Sequence, residues 1–90
     1  MKASIDISLY PLNSDYIPAI QNFIDRIQLD PNVAVKRNDL TTQIYGDYDH
    51  VMDLLKVEVR HSWEVYGSGV FAVKILMGDL RGLSDEDEEI

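Results

Sequence analysis

Two adjacent hydroxyls, Thr41 and Thr42, sit inside "NDLTTQIYGDYDH", residues 38–50, on a segment that reads as a strand running into a helix. Alternation along a strand sends neighbours to opposite faces, so Thr42 is expected to point with Leu40 and Ile44 towards the core. A threonine suits a strand and satisfies itself on a nearby carbonyl; the other reading is a hydroxyl presented to a ligand. Thr41, on the opposite face, is an interface residue, or the ligand contact if the register is one residue off.

The other reactive side chains offer less. His50 and His61 are the only histidines. Eleven residues apart on one helix, they stand roughly 16 Å from each other and cannot share a metal within one chain. Asp47, Asp49 and Asp53 gather at a helix start, where negative charge is favourable without any metal. Arg37-Asn38 is a pair that in principle holds a phosphoryl oxyanion, but it precedes a turn and no glycine-rich phosphate loop accompanies it. There is no cysteine, which excludes disulfides, thiolate metal sites and cysteine nucleophiles. A protein that is not an enzyme, with no metal and no cofactor, is the expectation.

The totals narrow the class. Ninety residues, 46% of them hydrophobic, make one small globular domain, assigned to residues 1–80. The formal net charge is −8, and "SDEDEEI" supplies five of the sixteen acids, so residues 1–83 carry only −3. Residues 81–90 are expected to be a solvated acidic tail. Without a basic footprint, nucleic acid is not expected as a partner. No apolar run reaches the ~20 residues of a membrane span, and "MKASIDISLY" alternates instead of forming a signal-peptide core, so no membrane and a cytoplasmic location are expected.

Elements follow from periodicity. "ASIDISLY" puts Ala3, Ile5, Ile7 and Leu9 on one face and Ser4, Asp6, Ser8 and Tyr10 on the other, and Pro11 ends the ladder. "NSDYIPAIQNFIDRIQL" is a helix with Ser14 or Asp15 as cap, Pro18 in the first turn, and a stripe of Ile17, Ile20, Phe23, Ile24 and Ile27. "VAVKRN" and "LTTQIYG" are strands joined by a tight turn at Asn38-Asp39. A second helix runs from about His50 to Tyr66, capped by Asp47 or Asp49, with Met52, Leu55, Val59, Ser62/Trp63 and Tyr66 as its stripe and "GSG" as its stop. "VFAVKILM" is the last strand, with Phe71, Val73, Ile75 and Met77 on one side.

The order β-α-β-β-α-β predicts an α+β ferredoxin-like sandwich: a four-stranded antiparallel sheet with two helices on one face. The uncovered face then carries Ser4, Asp6, Ser8, Tyr10, Thr41, Gln43, Tyr45, Val70, Ala72, Lys74 and Leu76, with Asp6 able to pair with Lys74. Self-association across that face is expected, because a small domain gains burial by it.

"ISLYPLNSDYIPAI" and "NDLTTQIYGDYDHVMDLL" are more specific than any of these elements. The first is an S-L-Y-P strand end followed by acidic residues and an isoleucine-rich helix. The second is an [LIM]-[ST]-T strand, a glycine, and an acidic helix start running into D-H-V-[FM]-D. Together with the last strand they resemble the YkoF-type family over nearly all of residues 3–77. The resemblance implies a module that binds thiamine or its hydroxymethylpyrimidine portion within a ferredoxin-like domain, for salvage, uptake or delivery of the vitamin. Because single-domain relatives assemble into oligomers, it also implies a homo-dimer or homo-tetramer. Two departures stand out. Leu40-Thr41-Thr42 replaces the frequent serine before the final threonine, and "MGDLRGLSDEDEEI" lacks a cysteine-proline ending.

For such a ligand the hydroxyls acquire a purpose. An aminopyrimidine edge presents ring-nitrogen acceptors beside an amine donor, and a hydroxyl both donates and accepts. Thr42 is the expected ring contact, among apolar neighbours. Ser8, Tyr10, Asp39 and Thr41 complete the candidate set: Ser8 and Tyr10 through the S-L-Y-P block, Asp39 as an acid near a cationic thiazolium. Tyr10, Tyr45 and Trp63 are candidates for the ~0.5–2 kcal/mol attraction of an aromatic face for a cation, and Asp47 is a second acid candidate or a helix cap. The alternative function is a structural or regulatory homo-oligomerisation domain with no small-molecule ligand.

Overall fold

The structure, a computed structural model, describes residues 1–81. The acidic tail expected at 81–90 therefore lies, apart from Arg81, outside the described residues. Chain order is β1 (Lys2–Pro11), α1 (Ile17–Gln28), β2 (Val33–Arg37), β3 (Thr42–Asp47), α2 (Tyr48–Tyr66) and β4 (Gly69–Met77). The strands form one antiparallel sheet in the order β2-β3-β1-β4, the ferredoxin-like α+β arrangement.

β1 alternates as its sequence dictates, burying Ala3, Ile5 and Ile7 against the helices. The core closes around these with Phe23 and Ile27 of α1, Ile44 of β3, and Val51 and Leu55 of α2. The helices are also joined at their flanks, where the Arg26 guanidinium donates to the buried Glu58 carboxylate.

Neither Ser14 nor Asp15 caps α1. Its N-cap is Tyr16, already in helical conformation and without a side-chain cap bond. The preceding loop is held differently, by Asn13 Nδ2 donating to the Tyr66 carbonyl at 3.1 Å. Ile17 is exposed, so the buried stripe begins with Ala19. Asp47 does cap α2, accepting from the His50 N–H at 3.4 Å, and Gly67 ends that helix at φ 83°, where a side chain would be strained.

The inward stripe of α2 includes Leu55 and Ser62 as expected, but Val51 and Glu58 are buried beside them in place of Met52 and Val59. Val51, Leu55, Glu58 and Ser62 are buried, whereas Trp63 is 49% exposed. The reason is that α2 packs sideways on α1 as well as downwards on β3 and β1, which rotates Met52, Val59 and Trp63 towards β4. β4 itself is not covered as expected. Its register sets Val73 opposite Ile7 and Ile75 opposite Ile5 on the helix side, yet Val73 and Ile75 are 41% and 51% exposed.

On the other face the C-terminal segment folds back over β1. Ser4 Oγ donates to the Gly78 carbonyl at 2.8 Å and accepts the Leu80 N–H at 2.9 Å, which buries a residue expected to be open. Gly78 makes this turn at φ 95°. Arg81 then lies over the Tyr45 ring, 5.5 Å from its centroid.

Gly46 is fixed by space. A Cβ there would stand 3.1 Å from Val51 Cγ2 and 3.2 Å from the Asn32 carbonyl oxygen. Gly46→Ala is expected to destabilise the fold by about 1–3 kcal/mol, lowering the melting temperature by roughly 4–8 °C per kcal/mol for a domain of this size, as read by circular dichroism.

Candidate functional site

The site begins where β3 stops short. The turn 38–41 is built on Asn38: its side-chain carbonyl accepts the Leu40 N–H at 2.8 Å and the Thr41 N–H at 3.0 Å, while its own N–H bonds the Thr41 carbonyl at 3.0 Å. An Asx turn of this kind takes the amides that a longer ladder would need. β2 therefore ends at Arg37 instead of Asn38, and β3 starts at Thr42 instead of Leu40. Leu40, expected to point inwards, is 86% exposed.

β1 continues past this point. Its pairing with β3 ends at Ile7↔Thr42, whereas its pairing with β4 runs on through Ser8, Leu9 and Tyr10 to Pro11. Beside that overhang lies a hollow of about 400 Å³. Its walls are β1 residues 7–11, Tyr16, Ile20, Phe23 and Ile24 from α1 and its approach, and residues 38–42. The Phe23 ring is set by a tilted contact with Phe71, centroids 5.0 Å apart.

All five residues singled out from the sequence, Ser8, Tyr10, Asp39, Thr41 and Thr42, line this one hollow. Their hydroxyls are not equivalent. Thr41 Oγ1 donates to the Asp6 carboxylate and lies 3.2 Å from the Ile7 carbonyl oxygen. Ser8 Oγ donates to the Leu40 carbonyl at 3.4 Å. Both hydroxyls fasten the turn to β1. Asp6 is thus bound to Thr41, although the register does bring Lys74 opposite it. Thr42 differs: the residue is 7% exposed and lines the hollow, but its hydroxyl is not a fully enclosed unpartnered group, which among the described residues is Asn22 Oδ1 alone.

One group unpaired among the described residues escaped the sequence reading because it is backbone. The Met1 carbonyl accepts the Tyr48 N–H at 2.8 Å in the β1–β3 register, so odd-numbered β1 residues turn their peptide groups towards β3. Leu9 is the first of these beyond the end of β3. Its N–H and C=O face the gap, a donor and an acceptor side by side, as a strand edge presents them. Tyr16 at the mouth and Asn38 beneath the turn were also missed. The N-D pair signals a turn, but nothing local says that this turn borders a hollow.

Other candidates lie elsewhere. Trp63 Nε1 donates to the Gly69 carbonyl at 2.9 Å, and Tyr45 sits under Arg81. Asp47 caps α2, and the His50 N–H it accepts holds its carboxyl below the usual range. His50 Nε2 lies 2.7 Å from Asp30 Oδ2. Burial opposes ionisation of Asp30, but the Asn32 N–H and the His50 ring outweigh it and lower its pKa. No Lys or Arg side chain lines the hollow.

A family model described as the YKOF-related family matches residues 2–75. The chain belongs to the YkoF-related family. No curated protein matches it. Among solved structures, this YkoF-related chain is similar to a Streptococcus pneumoniae protein at 26% identity and TM-score 0.82, covering 98% of this chain and 99% of that one. It shares its fold with a Thermotoga maritima protein provisionally assigned to thiamine biosynthesis or salvage, at 17% identity, TM-score 0.80, and 99% and 98% coverage. A hypothetical protein of Methanocaldococcus jannascii has the same fold at 17% identity, TM-score 0.82, and 99% and 98% coverage.

Asn38→Ala removes the acceptor shared by two amides. Hydrogen exchange at Leu40 and Thr41 is expected to quicken by up to about tenfold, the equivalent of a bond worth ~0.5–1.5 kcal/mol, with exchange in β1 and α2 unchanged.

Proposed function

We propose that this chain binds thiamine or its hydroxymethylpyrimidine portion in the hollow beside β1, without transforming it, for salvage, uptake or delivery of the vitamin. The observation that carries the reading is that the Thr42 side chain and the outward Leu9 peptide border one hollow, beside the apolar Ile7, Phe23 and Ile24. A volume of about 400 Å³ lies in the ordinary range of small-molecule sites. The family's association with thiamine, and the assignment of the Thermotoga maritima neighbour, point the same way.

In this reading the aminopyrimidine edge docks on Leu9 as a neighbouring strand would: ring nitrogen on the N–H, exocyclic amine on the C=O. Thr42 serves a further ring atom. Ile7, Phe23 and Ile24 hold the ring by apolar contact, and a cationic thiazolium projects towards Tyr10, Tyr16 and Asp39 at the mouth. With no cationic side chain in the lining, phosphate esters are disfavoured.

Calorimetry tests this directly. Heat is expected on mixing with thiamine and with hydroxymethylpyrimidine, and its absence for both at millimolar ligand would end the proposal. Thr42→Val is expected to weaken both ligands at least tenfold, in line with the ~1–3 kcal/mol lost when a buried partner is left unbonded. The melting temperature of the free protein should change little, because valine keeps the shape and β-branching of threonine. Asp39→Asn should weaken thiamine about twofold, from one charge acting over ~8 Å of water, and leave the neutral pyrimidine unaffected.

The chain is also proposed to act as a homo-dimer or homo-tetramer. The open sheet face supports this: Val70 and Leu76 are exposed there beside Tyr10, and one row across the sheet runs Lys36, Gln43, Asp6, Lys74. The same face supports the alternative, a structural or regulatory oligomerisation domain. Calorimetry separates the two, since an oligomer that gives no heat with either ligand favours the second.

A further inference from the structure

The chain's two phenylalanines and its single tryptophan meet in one stack. Phe71 stands in the middle, with its ring centroid 5.0 Å from that of Phe23 and 5.9 Å from that of Trp63. It is tilted to the first by 53° and edge-on to the second at 68°. These are the separations and angles of favourable aromatic pairs. Of the three rings, only Phe23 lines the hollow beside β1, where it is buried with Ile7 and Ile24. Phe71 and Trp63 stand behind it, the first on β4 and the second on α2.

The far end of the stack is fixed. Trp63 Nε1 donates to the Gly69 carbonyl at 2.9 Å, and the Trp63 carbonyl accepts the Gly67 N–H at 3.0 Å where α2 ends. About half of Trp63 is open to solvent, so the bond to Gly69 is what holds the indole in place. Phe71 is held by the sheet, opposite Leu9 in the β1–β4 register. Gly69 leaves room for this packing, since a Cβ there would stand 3.2 Å from Leu9 Cδ1. The strand pair that carries the polar edge of the hollow at Leu9 thus also supports, through Phe71, its apolar wall. A lone ring at that wall would yield to an oversized ligand by changing rotamer. A ring backed by two others in a close-packed interior has nowhere to go.

We propose that Phe71, which does not line the hollow, sets its depth by bracing Phe23 from behind, with Trp63 as the abutment, and so selects the ligand by the size of its ring. The inference rests on the reading that the hollow takes an aminopyrimidine. In that reading the polar edge of the ring is held at Leu9 and Thr42, so the ring cannot slide away from Phe23 without losing those bonds. Growth on its apolar side is then met by Phe23. In a hydrophobic pocket of fixed shape, a methylene is worth about 10–200-fold in discrimination. Phe71 and Trp63 are positioning residues, since they act on the ligand only through Phe23.

Calorimetry with hydroxymethylpyrimidine and with its homologue whose ring methyl is lengthened to ethyl tests this on the full chain. The wild-type protein is expected to bind the homologue at least about tenfold more weakly. Phe71→Leu removes the brace but keeps an apolar side chain, and is expected to narrow that ratio severalfold. Trp63→Phe keeps a ring but has no N–H for Gly69, and is expected to narrow it part of the way. Ile75→Ala, on the same face of β4 but away from the stack, should leave the ratio unchanged. A merely structural role would weaken both ligands together, so the ratio is the readout, with circular dichroism establishing that each variant is folded. Should Phe71→Leu not fold, the ratio in Trp63→Phe decides. A wild-type chain that binds the two ligands equally, or a ratio unchanged in every folded stack variant, overturns the inference and leaves the proposed function standing. A wild-type chain that binds neither ligand overturns both.

Discussion

β1 outruns β3 because the side chain of Asn38 takes the two amides, of Leu40 and Thr41, that would otherwise extend the ladder. Two antiparallel strands of equal length would leave nothing to recognise a ligand with, since each peptide group would be bonded to the other strand. Here the ladder ends at Ile7↔Thr42, and among the described residues nothing pairs with the Leu9 donor and acceptor. Thr42 is the first residue of β3, beside that gap, and its side chain faces the helices. A polar edge inside an apolar hollow follows from one turn.

The hydroxyls around the hollow divide by what they already bond. Ser8 and Thr41 are occupied, the first with the Leu40 carbonyl and the second with Asp6, and they pin the turn against β1. Such bonds give the wall a fixed shape before any ligand arrives, which lowers the ordering cost of binding. Thr42 stands apart from both, at the helix side of the sheet where the hollow meets the core.

The sheet distributes its surfaces unevenly. α1 and α2 lean on one another through Arg26 and Glu58 and cover β1 and β3 well, and the C-terminal segment covers Ser4 and Tyr45 on the far face. β4 is left thinly covered on both faces. A chain of ninety residues has little core to spare, so apolar surface left at one edge marks where further burial is available.

The sequence by itself determined the order of elements, the inward alternation of Ala3, Ile5 and Ile7, an aspartate cap at 47 or 49 and the glycine stop after Tyr66, because each depends on a period or a cap only a few residues long. It also picked out Ser8, Tyr10, Asp39, Thr41 and Thr42, by hydroxyl chemistry and by resemblance. Where those residues meet was not legible in it. The late start of β3, the exposure of Leu40, the burial of Val51 and Glu58 in the α2 stripe, and the exposure of Val73 and Ile75 on β4 were all decided by tertiary structure. In each case the outcome depends on a neighbour distant in sequence: β1 beside the turn, α1 beside α2, and, among the described residues, an α2 that reaches β4 chiefly through Trp63. A local pattern states which face of an element is apolar, but only packing states whether anything arrives to cover it.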